Sequence, residues 1–200
     1  KNFFGIKFGI MNKRFTIGKF PRTRLRRNRQ FPWIRNLTSE TNISTNDLIQ
    51  PLFVTEGKDI SKSIKSLPSI KRYSIDKILK KIDEIQKIGI PAVALFPYIE
   101  KKIKTFDGKE ALNKNNLICR TVKEIKKKFP KIGLICDVAL DPYTTHGHDG
   151  ILKENYIAND ETIEILSQQA IIQAEAGADI IAPSDMMDGR IGVIRDRLDN

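Results

Sequence analysis

The stretch Gly89-Ile90-Pro91-Ala92-Val93-Ala94-Leu95-Phe96-Pro97 decides the fold. Its apolar run, Ala92 to Phe96, stands between a helix-ending glycine and a proline that stops it. An uninterrupted apolar run this short reads as a strand buried on both faces. The pattern returns as Gly177-Ala178-Asp179-Ile180-Ile181-Ala182-Pro183. A helix signature precedes each glycine. Ser74 predicts an N-cap, with Asp76 in the first turn. Ile75, Ile78, Leu79, Ile82 and Ile85 then recur at helical spacing, backed by charged residues, until Gly89. Asn159, followed by Asp160 and Glu161, predicts the cap of another helix. Ile163, Leu166, Ala170 and Ala174 share its inner face, and Gly177 closes it. Between these lie a helix marked by Leu117, Ile118, Thr121, Val122 and Ile125, ended by Pro130, and a strand from Ile132 to Val138. A first strand covers Leu48 to Val54, where Pro51 predicts irregular pairing. Thr55 to Tyr73 reads as loop, the lysine-rich Glu100 to Asn113 as an exposed, mobile loop, and a last helix begins near Arg190.

The strands thus begin near 48, 92, 132 and 180, with helices in the intervals, which predicts parallel βαβ units. Four such units make either a small open α/β sheet or half of a (β/α)8 TIM barrel. The long loops after the second and third strands favour the barrel. A half-barrel leaves strand edges unpaired and one core face uncovered. Residues 46–200 are therefore expected to be the first half of a barrel, truncated near Asn200.

Charge separates the N-terminal segment from this body. Eleven of the 35 basic residues precede Glu40, the first acid, and the 24 that follow match the 24 acids, so the net charge of +11 belongs to the arm. Residues 1–45 read as that arm. Residues 1–19 are acid-free with scattered Lys, Arg and Phe, a transit-like composition. In 20–39, Phe20, Leu25, Phe31, Trp33, Ile34 and Leu37 interleave with arginines. Apolar groups this large favour protein over nucleic acid as the partner, and Pro21 and Pro32 restrict helix to a turn or two. No apolar run approaches the ~20 residues of a membrane span, so no membrane partner is expected. Cys119 and Cys136 have neither metal spacing nor a disulfide framework, and a reduced compartment is the simpler reading.

Chemistry concentrates in Asp137-Val-Ala-Leu-Asp-Pro-Tyr-Thr-Thr-His-Gly-His-Asp-Gly150, which leaves the third strand. It holds three aspartates (Asp137, Asp141, Asp149), Tyr143, and His146 and His148, the only two histidines in the chain. The aspartates read either as turn-capping groups or as a carboxylate mouth joined by Ser184, Asp185 and Asp188 after the fourth strand. Such a mouth suits Mg²⁺ through oxygen ligands, a cationic amine, or a base of raised pKa. Zinc would want a third nitrogen or sulfur ligand, and Cys136 points to the opposite face from Asp137. Arg190 would bind a substrate carboxylate or pair with Asp188. No strand ends in a lysine able to form a Schiff base, and no phosphate loop or nucleophile elbow occurs.

The segments Asp137–Gly150 and Ala182-Pro-Ser-Asp-Met-Met-Asp-Gly-Arg190 closely resemble two signatures of the porphobilinogen synthase (5-aminolevulinate dehydratase) family. Gly89–Pro97 and Pro21-Arg-Thr-Arg-Leu-Arg-Arg27 match further segments, so the resemblance runs from about residue 20 to 200. It implies a (β/α)8 barrel whose N-terminal arm embraces a neighbouring subunit, usually in a homo-octamer. It implies condensation of two 5-aminolevulinate molecules to porphobilinogen with loss of two waters, in haem and tetrapyrrole biosynthesis. Asp137 matches a family active-site aspartate and Ser184 a pocket serine, and Phe96, Tyr143, Asp185 and Arg190 are candidates for the substrate pocket. Where zinc-type members carry cysteines this chain has Ala139, Asp141 and Asp149. It therefore resembles the aspartate-rich branch, with Mg²⁺ expected in place of zinc, Asp141 and Asp149 the candidate ligands, and an allosteric magnesium using positions past Asn200. The Schiff-base lysines and main carboxylate binders of the family also lie on later strands, so this chain alone is expected to be inactive. The leader fits a plastid-type import signal, with the cytoplasm as the other possibility. Two rivals stand: another Mg²⁺-dependent barrel lyase or aldolase, and a non-catalytic basic-arm binding protein.

Overall fold

A computed structural model describes residues 18–200, so the leader assigned to residues 1–19 lies outside them except for its last two positions. The chain divides into a unit ending at Asn42 and one spanning Ile43–Asn200. In the first, a 3-10 turn (Leu25–Arg29) is followed by helix α1 (Pro32–Leu37). Pro32 opens α1, where its missing N–H costs nothing. Neither element contains a buried residue.

The second unit holds a six-stranded sheet in the order β2 (Ser61–Ile64), β3 (Leu67–Tyr73), β1 (Ile49–Thr55), β4 (Ala92–Tyr98), β5 (Gly133–Val138), β8 (Ile180–Pro183), and a separate two-stranded sheet of β6 (Leu152–Lys153) and β7 (Tyr156–Ile157). The spine of the larger sheet is β1, β4, β5 and β8, all parallel. Helices α2 (Ile75–Ile88), α3 (Leu117–Lys128) and α4 (Asn159–Ala176) make the crossovers, and α5 (Arg190–Asp199) follows β8. These are βα units arranged as in the first half of a (β/α)8 barrel. Alternation assigns the two sheet faces. Leu52, Val54, Val93, Leu95, Leu134, Cys136 and Val138 are buried under the helices, against Ile78, Ile82, Val122, Ile125 and Leu166 among others. Each such aliphatic side chain contributes about 1.5–3 kcal/mol by leaving water. Phe53, Phe96 and Asp137 lie on the other face, where Ile49 and Ile180 are about half exposed. No helix among the described residues is long and apolar enough to cross a membrane.

Several expectations are corrected. Residues 55–73 are not loop: β2 (Ser61–Ile64) and β3 (Leu67–Tyr73) form an antiparallel hairpin, and β3 joins β1 in parallel at Phe53–Arg72 and Val54–Tyr73. Pro51 sits in an interior strand, in register with Ala94. It is tolerated because on its other side the β3 ladder starts only at Phe53. Pro97 does not stop β4, which continues to Tyr98 alongside β1 after β5 has stopped pairing at Leu95–Cys136. Helix α4 is capped by Ala158, with Asn159 its first residue. The Asn159 side chain instead exchanges hydrogen bonds with the backbone of Asp188, at 2.8 and 3.2 Å. Ser74 does occupy the N-cap of α2, but its hydroxyl donates to Asp76 Oδ1 (2.6 Å) and accepts from Ile60 N–H (2.9 Å). Gly89 and Gly177 end α2 and α4 with φ of +90° and +112°, a region that penalises a Cβ.

The lysine-rich loop is also tied down. Thr105 forms a bridge with the loop after β5, its N–H donating to the Tyr143 carbonyl (3.1 Å) and its carbonyl accepting from Thr145 N–H (3.0 Å). His146 packs edge-on to Phe106, 5.1 Å between ring centres, with Nε2 3.1 Å from the Phe106 carbonyl. Ala111, within this loop, is fully buried.

Candidate active site at the strand ends

Asp137 is the penultimate residue of β5, on the face away from the helices, and Ser184 is the first residue beyond β8. Parallel pairing sets the two strand ends side by side: Asp137 is level with Ala182, and Ser184 N–H donates to the Val138 carbonyl (3.3 Å). Burial raises the Asp137 carboxyl above its usual range. The adjacent Ser184 hydroxyl favours the anion, and the charges of Asp141 and Asp185 oppose it. From beneath, α4 supplies two fully buried glutamines one turn apart. Gln173 Nε2 donates to the Asp137 carbonyl (2.9 Å) and Gln169 Nε2 to the Ala139 carbonyl (3.4 Å). The sequence signal for them was available: amides at core-facing helical positions, which must find buried partners.

Beyond Ala139 the chain turns, with Tyr143 N–H and Thr144 N–H both donating to the Leu140 carbonyl (2.9 Å). This turn carries Tyr143 into the core, where it is 1 % exposed and burial drives its phenol far above the ordinary range. Tyr143, a candidate for the substrate pocket, therefore does not line the mouth. Asp141, Gly147, His148, Asp149 and Ser184 do line an open cavity there, of about 440 Å³. Desolvation by the surrounding loop, then the nearby Asp149 charge, raise the Asp141 carboxyl, and Lys104 opposes them. Lys104 Nζ donates to the Asp141 carbonyl (3.2 Å), a lysine at the mouth that no strand-end rule selects.

Beside the mouth, the Asp185 side chain is fully buried. Its Oδ1 accepts from Met187 N–H (2.7 Å), and its Oδ2 is 3.1 Å from Arg190 Nε without the alignment of a hydrogen bond. Desolvation raises its carboxyl, against the Met187 N–H and the Arg190 charge. Arg190 is folded onto its own loop, donating to the Met187 carbonyl (2.8 Å) and facing Asp185, not Asp188. Phe96 lies on the open face with its ring centre 5.6 Å from that of Phe53. The structure thus brings Asp137, Ser184, Asp141, Asp149 and Asp185 to one end of the sheet and turns Tyr143 and Arg190 away.

His146 and Cys136 offer zinc no free donor. His146 Nδ1 accepts from His148 N–H (3.1 Å), which leaves the proton on Nε2 to meet the Phe106 carbonyl, so both ring nitrogens are spent. Cys136 is buried under the helices and its thiol is pushed up to about 12. Among the described residues no three His, Cys, Asp or Glu side chains converge as a metal cage. Asp141 and Asp149 fit a magnesium ion that keeps most of its water, for which one or two carboxylates suffice.

Residues 22–200 match the family described as delta-aminolevulinic acid dehydratase. The chain is 50% identical over 176 residues to the delta-aminolevulinic acid dehydratase of Bradyrhizobium diazoefficiens, covering 88% of this chain and 50% of that one. The enzyme of Chlamydia pneumoniae is also 50% identical, with 88% and 53% covered. The chloroplastic enzyme of Glycine max is 43% identical, with 88% and 43% covered. Among solved structures, delta-aminolevulinic acid dehydratase (porphobilinogen synthase) from Toxoplasma gondii ME49, in complex with the reaction product porphobilinogen, superposes with a TM-score of 0.86. It is 42% identical, with 88% of this chain and 51% of that chain covered. The chain thus spans about half the length of the curated relatives it matches. On the family match over residues 22–200, and on identities of up to 50% across nearly nine-tenths of its length, the chain belongs to the delta-aminolevulinic acid dehydratase family.

Proposed function

We propose that residues 46–200 are the first half of a (β/α)8 barrel that condenses two molecules of 5-aminolevulinate to porphobilinogen. One observation carries this reading: a carboxyl of raised pKa, Asp137, stands beside the Ser184 hydroxyl at adjoining parallel strand ends, in a chain of this family. A carboxyl poised above its usual range exchanges protons nearer neutral pH. Here Asp137 takes and returns protons at the substrate carbons and amine, while the Ser184 hydroxyl stabilises its anion and orients it. Gln173 fixes the backbone of Asp137 from below, so the carboxyl is presented in one position. The cluster of Asp137, Asp141 and Asp185 also favours a cationic amine over an anion at this end of the face. No lysine ends β1, β4, β5 or β8; the Schiff-base lysines are assigned to strands beyond residue 200.

Metal binding is general in the family. Magnesium is the proposed ion, held by Asp141 and Asp149 with water; when bound it would supply positive charge to polarise substrate oxygens. The arm is proposed to embrace a neighbouring subunit in a homo-octamer, consistent with Leu25, Phe31, Trp33 and Leu37 being largely exposed on elements without a core. A plastid-type location is proposed from the acid-free leader and the chloroplastic relatives of soybean and rice.

The test is pyrrole formation from 5-aminolevulinate by a chain extended past Asn200, stripped with chelator and given back Mg²⁺ or Zn²⁺ separately. Restoration by Mg²⁺ alone is expected. Activity indifferent to chelator would make Asp141 and Asp149 structural. No pyrrole under any metal would overturn the proposal and favour another barrel lyase chemistry at the same carboxylates.

A further inference from the structure

The mouth has a charged neighbour that the proposed chemistry does not use. Lys104 lies in the loop after β4, 37 positions before Asp141, and its Nζ donates to the Asp141 carbonyl at 3.2 Å. Lys102 and Lys109 of the same loop pair locally, with Glu100 (2.8 Å) and Asp107 (3.3 Å). Lys104 instead crosses to the loop after β5. Its backbone is fixed on both sides. Ile103 N–H donates to the Glu100 carbonyl (3.0 Å), and Thr105 is bridged to Tyr143 and Thr145. Lys109 N–H closes on the Thr105 hydroxyl at 2.9 Å. None of these bonds uses the Lys104 side chain, so the ammonium is carried to the mouth by structure that survives its removal.

The groups it meets there are acidic. Asp141 and Asp149 line the cavity. The Asp149 charge raises the Asp141 carboxyl and the Lys104 charge lowers it, so the three groups share one field. On the far side of Asp149 stands the His148 ring, with Nδ1 2.7 Å from Oδ1. Among the described residues Lys104 makes no ion pair with a carboxylate. It acts on the two aspartates through space and occupies a lone pair of the Asp141 carbonyl, an oxygen of the kind that hard divalent cations also take. A divalent ion arriving at the two carboxylates therefore meets a positive charge already in place. Repulsion between an ammonium and a divalent ion across a solvated gap of several ångströms is worth roughly three- to tenfold in an affinity.

We infer that Lys104 is a tethered cation of this mouth, which competes with a divalent metal for Asp141 and Asp149 and so sets the concentration at which the metal binds. The metal site itself rests on the function proposed above; the placement of the ammonium rests on the two bridged loops.

The probe is Mn²⁺, whose free aqua ion is counted directly by electron paramagnetic resonance, with Mg²⁺ as competitor. Binding is titrated on the protein extended past Asn200, without substrate. The component that disappears when Asp141→Asn and Asp149→Asn are combined belongs to the mouth. Lys104→Met and Lys104→Gln are expected to tighten that component by about three- to tenfold at low ionic strength. The gain should shrink in about 0.5 M salt, where the charges are screened. Lys104→Arg, which keeps the charge, should stay within about twofold of wild type. Neutral variants that bind within about twofold of wild type would overturn the inference, as would a gain that salt does not reduce or that arginine shares equally. Weaker binding in the neutral variants would also overturn it, as the mark of a lysine that only braces the two loops. A double aspartate variant with all of its Mn²⁺ binding intact would remove the metal site proposed above, and this inference with it. A mouth component that is present but indifferent to Lys104 removes this inference alone.

Discussion

Replacing Asp185 tests whether a buried carboxylate holds the loop behind Ser184. Its side chain is 0% exposed, with Oδ1 accepting from Met187 N–H at 2.7 Å and Oδ2 3.1 Å from Arg190 Nε, on a side chain that is 26% exposed. Alanine removes a hydrogen bond to a charged group, worth about 1.5–3 kcal/mol, and strands the Met187 N–H. It also takes the counter-charge from Arg190. Breaking a fully buried pair costs about 3–5 kcal/mol, and the partial exposure of Arg190 lowers that. The desolvation that raises the Asp185 carboxyl is returned when the charge is removed. The balance predicts a loss of about 2–4 kcal/mol for Asp185→Ala at neutral pH. Asparagine keeps the Oδ1 acceptor and sheds the desolvated charge, so Asp185→Asn costs under about 1 kcal/mol. Urea unfolding of both variants measures the difference. The sign with pH follows from the raised carboxyl. The folded protein holds this proton more tightly than the unfolded chain, so the stability it contributes is fully present below the ordinary value of 3.8 and is lost as pH rises through the folded value. The gap between wild type and Asp185→Asn should therefore move in favour of the variant as pH rises from 3.8. Equal losses for Ala and Asn, or a gap that does not change with pH, would refute the reasoning.

Further outcomes are expected on the same grounds. Leu95→Ala empties a position that is fully buried between β4 and the helices, and should cost about 2–5 kcal/mol in chemical denaturation. Gly177→Ala places a Cβ at φ +112° and should lower stability by about 1 kcal/mol or more, with the α4 fold otherwise kept in circular dichroism. His146→Ala removes the contacts with Phe106 that tie the two mouth loops together; trypsin should then cut after Lys101, Lys102 or Lys104 several-fold faster than in wild type. An unchanged cleavage rate would mean that the Thr105–Thr144 bridge alone secures the loop.

What the sequence displayed, and what it concealed, divide along a physical line. The strands at Ala92 and Ile180 and the helices ending at Gly89 and Gly177 were legible because apolar runs and left-handed glycines are local signals. Where Asp137 and Ser184 would stand was legible for the same reason, since both sit where an apolar run ends. The β2–β3 hairpin was hidden because it is half-exposed and lysine-bearing, so its strands show no apolar alternation. Its place is set by two residue pairs with β1, a partner some twenty residues away. The cap of α4 was misplaced because Asn159 bonds Asp188, across the mouth and 29 positions along the chain. Tyr143 reads from sequence as a pocket residue, and it is the turn at Leu140 that carries it into the core instead. The tie between the lysine-rich loop and the loop after β5 is likewise tertiary, and composition there pointed the wrong way.

The site and the core are one construction seen from two sides. Asp137 is held in two ways: by the β5–β8 ladder, in register with Ala182 and with Ser184 N–H on the next carbonyl, and by Gln173 beneath it. A group fixed by its backbone on several sides needs no search before it acts, which is the geometric part of catalytic preorganisation. On the opposite face, burial at the strand ends raises its carboxyl. Burial therefore costs stability at neutral pH by the mechanism that, under the proposed function, would ready the group for proton transfer. The two effects make opposite demands on residue 137. Neutralising it should relieve the desolvation while removing the proton carrier, so a variant of Asp137 that is both more stable and inactive is the combination expected if this carboxyl is the working group.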